Sequence, residues 1–182
     1  MPYLYLSPST QEFNPYTGAE GGNEEYYMNL VADAMEPYLR ASGIEFDRNN
    51  PTSTLSQTIA QSNAGDYDLH VALHSNASPE ASKGQNKGVQ VYYYPTSSNG
   101  KRLADIMADD YKEIYPDPND ITVIPTTSLA EVRRTKAPAV LIETAFHDNP
   151  EDADWIRSNI DNIARSVSKS IADYLGVPFV TP

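Results

Sequence analysis

The sequence predicts an α/β fold in which a largely parallel sheet is flanked by helices on both faces. Short β-prone segments alternate with helical segments along the chain, which is the order from which parallel sheets are built. Two of the strands, residues 69–74 and 137–143, are near-continuous apolar runs, as is typical of strands buried on both faces. The length of 182 residues corresponds to one domain, so we expect residues 1–182 to fold as a single unit.

The first half of the chain contains two strands and two helices ahead of the first buried strand. Residues 3–6 form a β-prone run that a polar loop follows. Asn23 is a suitable N-cap for a helix whose apolar residues recur every three or four positions, and Gly43 ends that helix. Residues 44–46 form a second short strand, and a polar helix follows from Asn50.

The second half continues the alternation of strands and helices. After the strand that ends at residue 74, the predicted segments are residues 88–94 (strand), 98–115 (helix), 121–124 (strand), 137–143 (strand) and a helical region from Asn149. In an open sheet of this type, ligands bind beyond the carboxyl ends of the strands. Polar residues at those ends are therefore the candidates for a functional site.

Composition excludes several classes of function. The chain has 13 Lys and Arg against 25 Asp and Glu, a net charge of −12, which argues against binding to nucleic acid or to an anionic lipid surface. There is no cysteine, so any metal must be held by histidine, carboxylate or amide ligands. No window approaches the ~20 apolar residues of a membrane span, so we expect no membrane insertion. The first residues lack the pattern of a signal peptide, which leaves the export route open.

Three polar side chains stand at the ends of predicted elements. His74 ends one buried strand, Glu143 ends the other, and Glu25 lies in the first turn of the first helix. Imidazole and carboxylate groups are ligands of catalytic zinc, and a further carboxylate serves as a general base. Each residue also has a structural interpretation, because a strand-end histidine is commonly hydrogen-bonded and an acidic residue complements a helix dipole. Spacing alone leaves both interpretations open.

Four segments carry a recognisable set of motifs. They are Glu-Tyr-Tyr-Met-Asn-Leu at 25–30, Asp-Leu-His-Val-Ala-Leu-His-Ser-Asn-Ala at 68–77, Arg-Arg-Thr-Lys-Ala-Pro-Ala-Val-Leu-Ile-Glu at 133–143, and Thr-Ala-Phe followed by Asp-Asn within 144–149. In this order they resemble the zinc-dependent N-acetylmuramoyl-L-alanine amidases that cut peptidoglycan, the amidase-3 family. The resemblance implies that Glu25 and His74 bind Zn²⁺, that Glu143 is the catalytic glutamate, and that 1–182 is a single amidase-like catalytic domain.

The sequence departs from that family at the first zinc-binding histidine, which normally follows the first strand. Residues 6–12 contain no histidine. We expect Gln11 to take its place through its side-chain oxygen, although amide oxygens favour harder ions. Glu12 and His147 are alternatives, and an impaired or absent metal site is another. His70 is not a candidate, because it lies about 13 Å along the strand from His74.

The resemblance implies a peptidoglycan hydrolase that uses metal-activated water to cleave the amide between N-acetylmuramic acid and L-alanine. Arg133 would assist by orienting Glu143 or by binding stem-peptide carboxylates, and Asn76 and Tyr92 would contact the substrate. The alternative is a non-catalytic peptidoglycan-binding or muropeptide-binding domain that keeps the amidase fold with a degenerate metal site. Either function implies that the protein acts at the cell wall, outside the cytoplasm, with peptidoglycan as its partner. The sequence gives no sign of an obligate protein partner.

Overall fold

The computed structural model describes residues 1–182 and contains six strands and six helices. The strands are β1 (Tyr3–Pro8), β2 (Glu45–Arg48), β3 (Leu69–Asn76), β4 (Val89–Tyr93), β5 (Ile121–Pro125) and β6 (Ala139–Phe146). The helices are α1 (Glu24–Ala41), α2 (Leu55–Ala64), α3 (Ser98–Lys112), α4 (Ala130–Arg133), α5 (Pro150–Ser158) and α6 (Ile160–Leu175). No helix combines the length and apolar character required to span a membrane.

All six strands form one sheet in the order β2-β1-β3-β6-β4-β5. Every neighbouring pair is parallel except β4 and β6, which run antiparallel. A parallel return requires a long crossover, usually a helix, and only the short 3-10 turn Glu80–Ser82 lies between β3 and β4. The prediction of a largely parallel sheet is therefore confirmed, with β4 and β5 reversed relative to the other four strands.

The two faces of the sheet are covered unequally. One face packs against α1, α3 and α6 in a core of 33 buried residues, to which β3 contributes Leu69, Val71 and Leu73. The other face has a cluster of only four buried hydrophobic residues beside α4. Because side chains alternate along a strand, His70 and His74 project from this second, thinly covered face. The functional side chains thus lie where the sheet is least packed.

The ends of the predicted helices differ in detail from the structure. Asn23 caps α1 as predicted, since its side chain accepts a hydrogen bond from the Tyr26 amide at 2.8 Å. The helical region predicted from Asn149 divides into α5 and α6 at Asn159. The short helix α4, which follows β5, has no counterpart in the predicted elements because its four residues are too few to show a helical period.

Candidate active site

A cavity of about 350 Å³ opens at the carboxyl ends of β1, β3 and β6. Pro8 and the residues after it form one wall, and His74 and Glu143 reach in from the two central strands. Phe13 and Leu55 also line the cavity although they are 78% and 51% exposed. The cavity therefore combines ionisable groups at the sheet edge with an exposed apolar rim.

His74 is surrounded by carboxylates. It is the register partner of Glu143 in the parallel pairing of β3 with β6, and its Nδ1 lies 2.8 Å from Oε1 of Glu24. Burial opposes protonation of the imidazole. The hydrogen bond to Glu24 and the negative charges of Glu143 and Glu131 outweigh burial and raise the pKa of His74 to about 9. A negative surrounding of this kind also favours a bound cation.

Glu143 has a carboxylate oxygen that no group of the protein satisfies. Its Oε2 is buried and accepts no hydrogen bond. Burial raises the pKa of Glu143 to about 7, with the His74 charge lowering it and the Glu24 charge raising it. A carboxyl group that titrates near neutral pH with a free acceptor oxygen is suited to take up and release a proton.

The glutamate that meets His74 is Glu24 rather than Glu25. Glu24 is the first residue of α1 and is 1% exposed, whereas Oε1 of Glu25 accepts a hydrogen bond from Asn29 of the same helix at 3.2 Å. Successive helical residues point about 100° apart, so only one of the pair can point toward His74. Glu24 lies in phase with the buried Met28 and Val31, and that periodicity is the sequence signal that identifies it.

Gln11 is joined to this group through Asn14. The Asn14 Nδ2 donates to Gln11 Oε1 at 2.7 Å and to Glu24 Oε2 at 2.6 Å. Gln11 also lines the cavity with His74. The structure contains no group of three or more His, Asp or Glu side chains disposed to hold a metal ion. A metal bound beside His74 and Glu24 would therefore need an amide or solvent oxygen as its third ligand.

The other candidate ligands lie elsewhere. Glu12 is exposed. His147 is buried, with its Nδ1 3.0 Å from Ser75 Oγ and its ring stacked on Tyr16. Because Ser75 follows His74 in β3, it projects from the opposite face of the sheet, and His147 is not among the residues that line the cavity.

Asn76 and Tyr92 converge on Gln90, which the sequence did not identify. Gln90 Oε1 accepts hydrogen bonds from Asn76 Nδ2 at 2.9 Å and from the Tyr92 hydroxyl at 2.8 Å. Gln90 is the register partner of Glu143 in the antiparallel pairing of β4 with β6. The two predicted substrate contacts, Asn76 on β3 and Tyr92 on β4, are therefore joined through the strand neighbour of Glu143, and neither is among the residues that line the cavity.

Arg133 does not reach the cavity. It is exposed at the end of α4, where its guanidinium donates to the Thr127 carbonyl at 3.3 Å, and it lines a separate surface depression with Lys136. The charged group that α4 does contribute to the cavity is Glu131, which also escaped the sequence reasoning.

Glu131 belongs to a buried network under the cavity. Its Oε1 accepts from Ser7 Oγ at 2.9 Å, and its Oε2 lies 3.5 Å from His70 Nε2. His70 Nδ1 in turn lies 2.9 Å from Ser62 Oγ. This network accounts for His70 as a hydrogen-bonded structural residue that fixes Glu131 at the base of the cavity.

Comparison with known proteins supports the family that the sequence motifs resemble. The family model described as N-acetylmuramoyl-L-alanine amidase (Amidase_3) matches residues 13–173. The chain is 28% identical over 167 residues to N-acetylmuramoyl-L-alanine amidase LytC of Bacillus subtilis (strain 168), which covers 87% of this chain and 33% of LytC. It is 28% identical over 123 residues to the endolysin of Bacillus phage SPP1, which covers 64% of this chain and 44% of the endolysin.

A solved structure with a similar fold is Cwp6 from Clostridium difficile, with a TM-score of 0.84 at 23% identity over 96% of this chain and 29% of Cwp6. This chain thus spans only about a third of LytC and less than half of the phage endolysin. The family match nevertheless includes five of the six strands, His74 and Glu143, while Gln11 lies ahead of the matched range. The chain belongs to the N-acetylmuramoyl-L-alanine amidase family.

Proposed function

We propose that this protein is a peptidoglycan hydrolase that cleaves the amide between N-acetylmuramic acid and L-alanine of the stem peptide, with residues 1–182 as its catalytic domain. The observation that carries the proposal is the buried, unpaired Oε2 of Glu143 beside His74. Hydrolysis of an amide needs a base for the attacking water and an acid for the leaving amine. Family membership supplies the class of bond.

Zinc is the proposed metal, and His74, Glu24 and Gln11 are the residues that would hold it. Glu24 replaces Glu25 in this role because Glu24 contacts His74 and Glu25 contacts Asn29. Imidazole and carboxylate fit zinc well, whereas the amide oxygen of Gln11 is a weaker ligand. Bound zinc would lower the pKa of a coordinated water toward ~7 and polarise the scissile carbonyl.

Glu143 is the proposed general base and acid. Burial raises the pKa of Glu143 to about 7 in the metal-free protein, and a nearby cation would favour its deprotonated form. Its unpaired Oε2 takes the proton from the attacking water and delivers it to the nitrogen of the departing alanine. A pKa close to the working pH lets one carboxyl group perform both transfers.

The proposed substrate contacts follow the placement of the polar side chains. Asn76 and Tyr92 would act through or beside Gln90, at the flank of Glu143. Arg133 lies outside the cavity, so its proposed role is to contact stem-peptide carboxylates rather than to orient Glu143. The proposed partner is peptidoglycan, and the proposed site of action is accordingly the cell wall, outside the cytoplasm.

The experiment uses purified protein, isolated peptidoglycan and added zinc. Wild-type protein should release stem peptides, and Glu143→Ala should release them at least about 100-fold more slowly, because general acid–base groups contribute on that order. Glu25→Ala is the matched control and should retain wild-type release. Undiminished release by Glu143→Ala would remove Glu143 from the reaction.

Elemental analysis separates the catalytic proposal from a non-catalytic binder with a degenerate site. The hydrolase predicts about one equivalent of zinc per chain after reconstitution, because Glu24 contacts His74 and is joined to Gln11 through Asn14. Binding of peptidoglycan without zinc uptake and without release of peptide would favour the binder.

A further inference from the structure

A second buried acceptor in the same cavity has no partner in the protein. Asn49, which follows β2, is 6% exposed and lines the cavity. Its Oδ1 is buried and accepts no hydrogen bond. Five buried side-chain polar atoms in the whole chain have no partner, and two of them, Asn49 Oδ1 and Glu143 Oε2, line this one cavity.

The orientation of the Asn49 amide is fixed by chemistry. Asn49 Nδ2 donates to the Pro8 carbonyl at 3.0 Å, and a carbonyl can only accept, so the amide cannot be turned around. The Asn49 backbone amide also donates to the Leu6 carbonyl at 3.3 Å. Both bonds tie Asn49 to the end of β1 and leave Oδ1 as the one polar atom of its side chain without a partner.

The charge of the lining restricts the kind of donor that Asn49 can meet. Glu131 and Glu143 line the cavity with His74, and no Lys or Arg does. A carboxylate or phosphate would be repelled here. Leu55, together with Leu129 and Leu141, supplies apolar wall around the polar groups. The lining therefore fits a neutral N–H next to a small apolar group.

We propose that Asn49 Oδ1 accepts a hydrogen bond from a neutral amide N–H of the substrate and thereby determines which amides enter the cavity. This inference rests on the proposed function, because the muramyl peptide offers such groups in the acetamido substituent of the sugar and in the peptide bonds. A ligand that brings an N–H donor to Oδ1 supplies the hydrogen bond that the protein itself does not make there. A ligand without a donor at that point leaves a buried acceptor unpaired and binds more weakly.

Substrate analogues that lack one N–H each test, on the full chain, whether Asn49 Oδ1 accepts a hydrogen bond from the substrate. The probes are a muramyl dipeptide, an analogue with an acetoxy group in place of the acetamido group, and an analogue N-methylated at the peptide bond after L-alanine. Affinities are measured by calorimetry with Glu143→Gln, so that the ligand stays intact. One analogue should bind about 10-fold more weakly than the parent, and which one it is identifies the source of the N–H. If titration of the parent is too weak, kcat/KM of the wild type gives the same comparison.

The same affinities are then measured with Asn49→Leu added to Glu143→Gln. This double variant should bind the parent and the affected analogue equally, because the acceptor oxygen is gone. Asn63→Leu is the control: it removes an asparagine that donates to the Arg134 carbonyl at 2.8 Å and accepts from the Lys136 amide at 2.8 Å. Asn63 lies away from the cavity, so this variant should keep the 10-fold discrimination. If Asn49→Leu does not fold, the comparison of the analogues in the protein that retains Asn49 still shows whether a substrate N–H contributes to binding.

Two results would overturn the role of Asn49. Both analogues could bind as tightly as the parent, or the discrimination could persist unchanged in Asn49→Leu. Release of stem peptides by the wild type, measured separately, distinguishes this failure from failure of the proposed function. If the wild type releases stem peptides but does not discriminate between the parent and the analogues, only the role of Asn49 is overturned. If it neither releases stem peptides nor binds the parent, the role of Asn49 and the proposed function are both overturned.

Discussion

His74 on β3 and Glu143 on β6 are register partners in a parallel pair of central strands. Backbone hydrogen bonds of the sheet, rather than a loop, therefore set the spacing between the candidate metal ligand and the candidate base. Groups placed on regular elements keep their geometry more accurately than groups on loops. The loop residues Gln11 and Asn14 and the helix residue Glu24 complete the group around this fixed pair.

Glu143→Gln should change how stability depends on pH in metal-free protein. The folded-state pKa of about 7 lies above the ~4.3 of an unfolded glutamate, so the stabilisation is fully present below pH ~4.3 and is lost as pH rises through about 7. The wild type should therefore lose free energy of unfolding between pH 5 and pH 8, whereas Glu143→Gln should not. The difference in free energy of unfolding between variant and wild type should shift in favour of Glu143→Gln by about 2 to 3 kcal/mol over that range. Urea unfolding at both pH values measures this gain, and parallel pH profiles would contradict the buried carboxyl.

Glu24→Gln and Glu25→Gln form a matched pair of neighbouring substitutions. Glu24 contacts His74, whereas Glu25 accepts a hydrogen bond from Asn29 of the same helix. Glu24→Gln should reduce zinc affinity at least about 10-fold and lower the rate of peptide release, because a charged ligand is replaced by a neutral one. Glu25→Gln should match the wild type in both measurements. Equal losses in the two variants, or a loss confined to Glu25→Gln, would show that Glu24 is not the ligand.

Gln11→His introduces a stronger zinc ligand at the position where the family's first histidine is expected. Imidazole is a better ligand for zinc than an amide oxygen, and Gln11 already shares Asn14 with Glu24. Zinc should bind at least about 10-fold more tightly, as measured by competition with a chromophoric chelator. Gln11→Leu should bind zinc more weakly than the wild type. Unchanged affinity in both variants would place the third ligand elsewhere.

Gly88 is required by the backbone at the start of β4. Its φ is +105°, and an added Cβ would collide with the Asp120 backbone. We expect Gly88→Ala to lower the free energy of unfolding by about 2 to 4 kcal/mol. Gly43→Ala is the control, because Gly43 has a φ of +70° with no atom near its added Cβ and should cost only about 1 to 2 kcal/mol. Thermal unfolding compares the two, and equal losses would mean that the clash is relieved by movement.

Much of the fold followed from local patterns in the sequence. The apolar runs that became β3 and β6 marked the central strands because strands buried on both faces need apolar side chains throughout. The ends of those strands also identified His74 and Glu143. The reversal of β4 was not foreseen, although the connection after β3 contains too little helix for a parallel return.

Other parts of the site depend on contacts between distant segments. Gln90 was missed because its importance comes from strand register with Glu143, and Asn49 because its free oxygen is defined by a bond to the Pro8 carbonyl. No local period reveals either relationship. The choice between Glu24 and Glu25 was different, since the apolar period of α1 already favours Glu24.

The most direct test of the central claim is the chemistry of the ends created in purified peptidoglycan. Zinc-loaded wild-type protein should generate new amino-terminal L-alanine, detected by amine labelling and mass spectrometry, with no new reducing sugar ends. New reducing ends, or free amino groups on any residue other than alanine, would contradict cleavage of the amide between N-acetylmuramic acid and L-alanine.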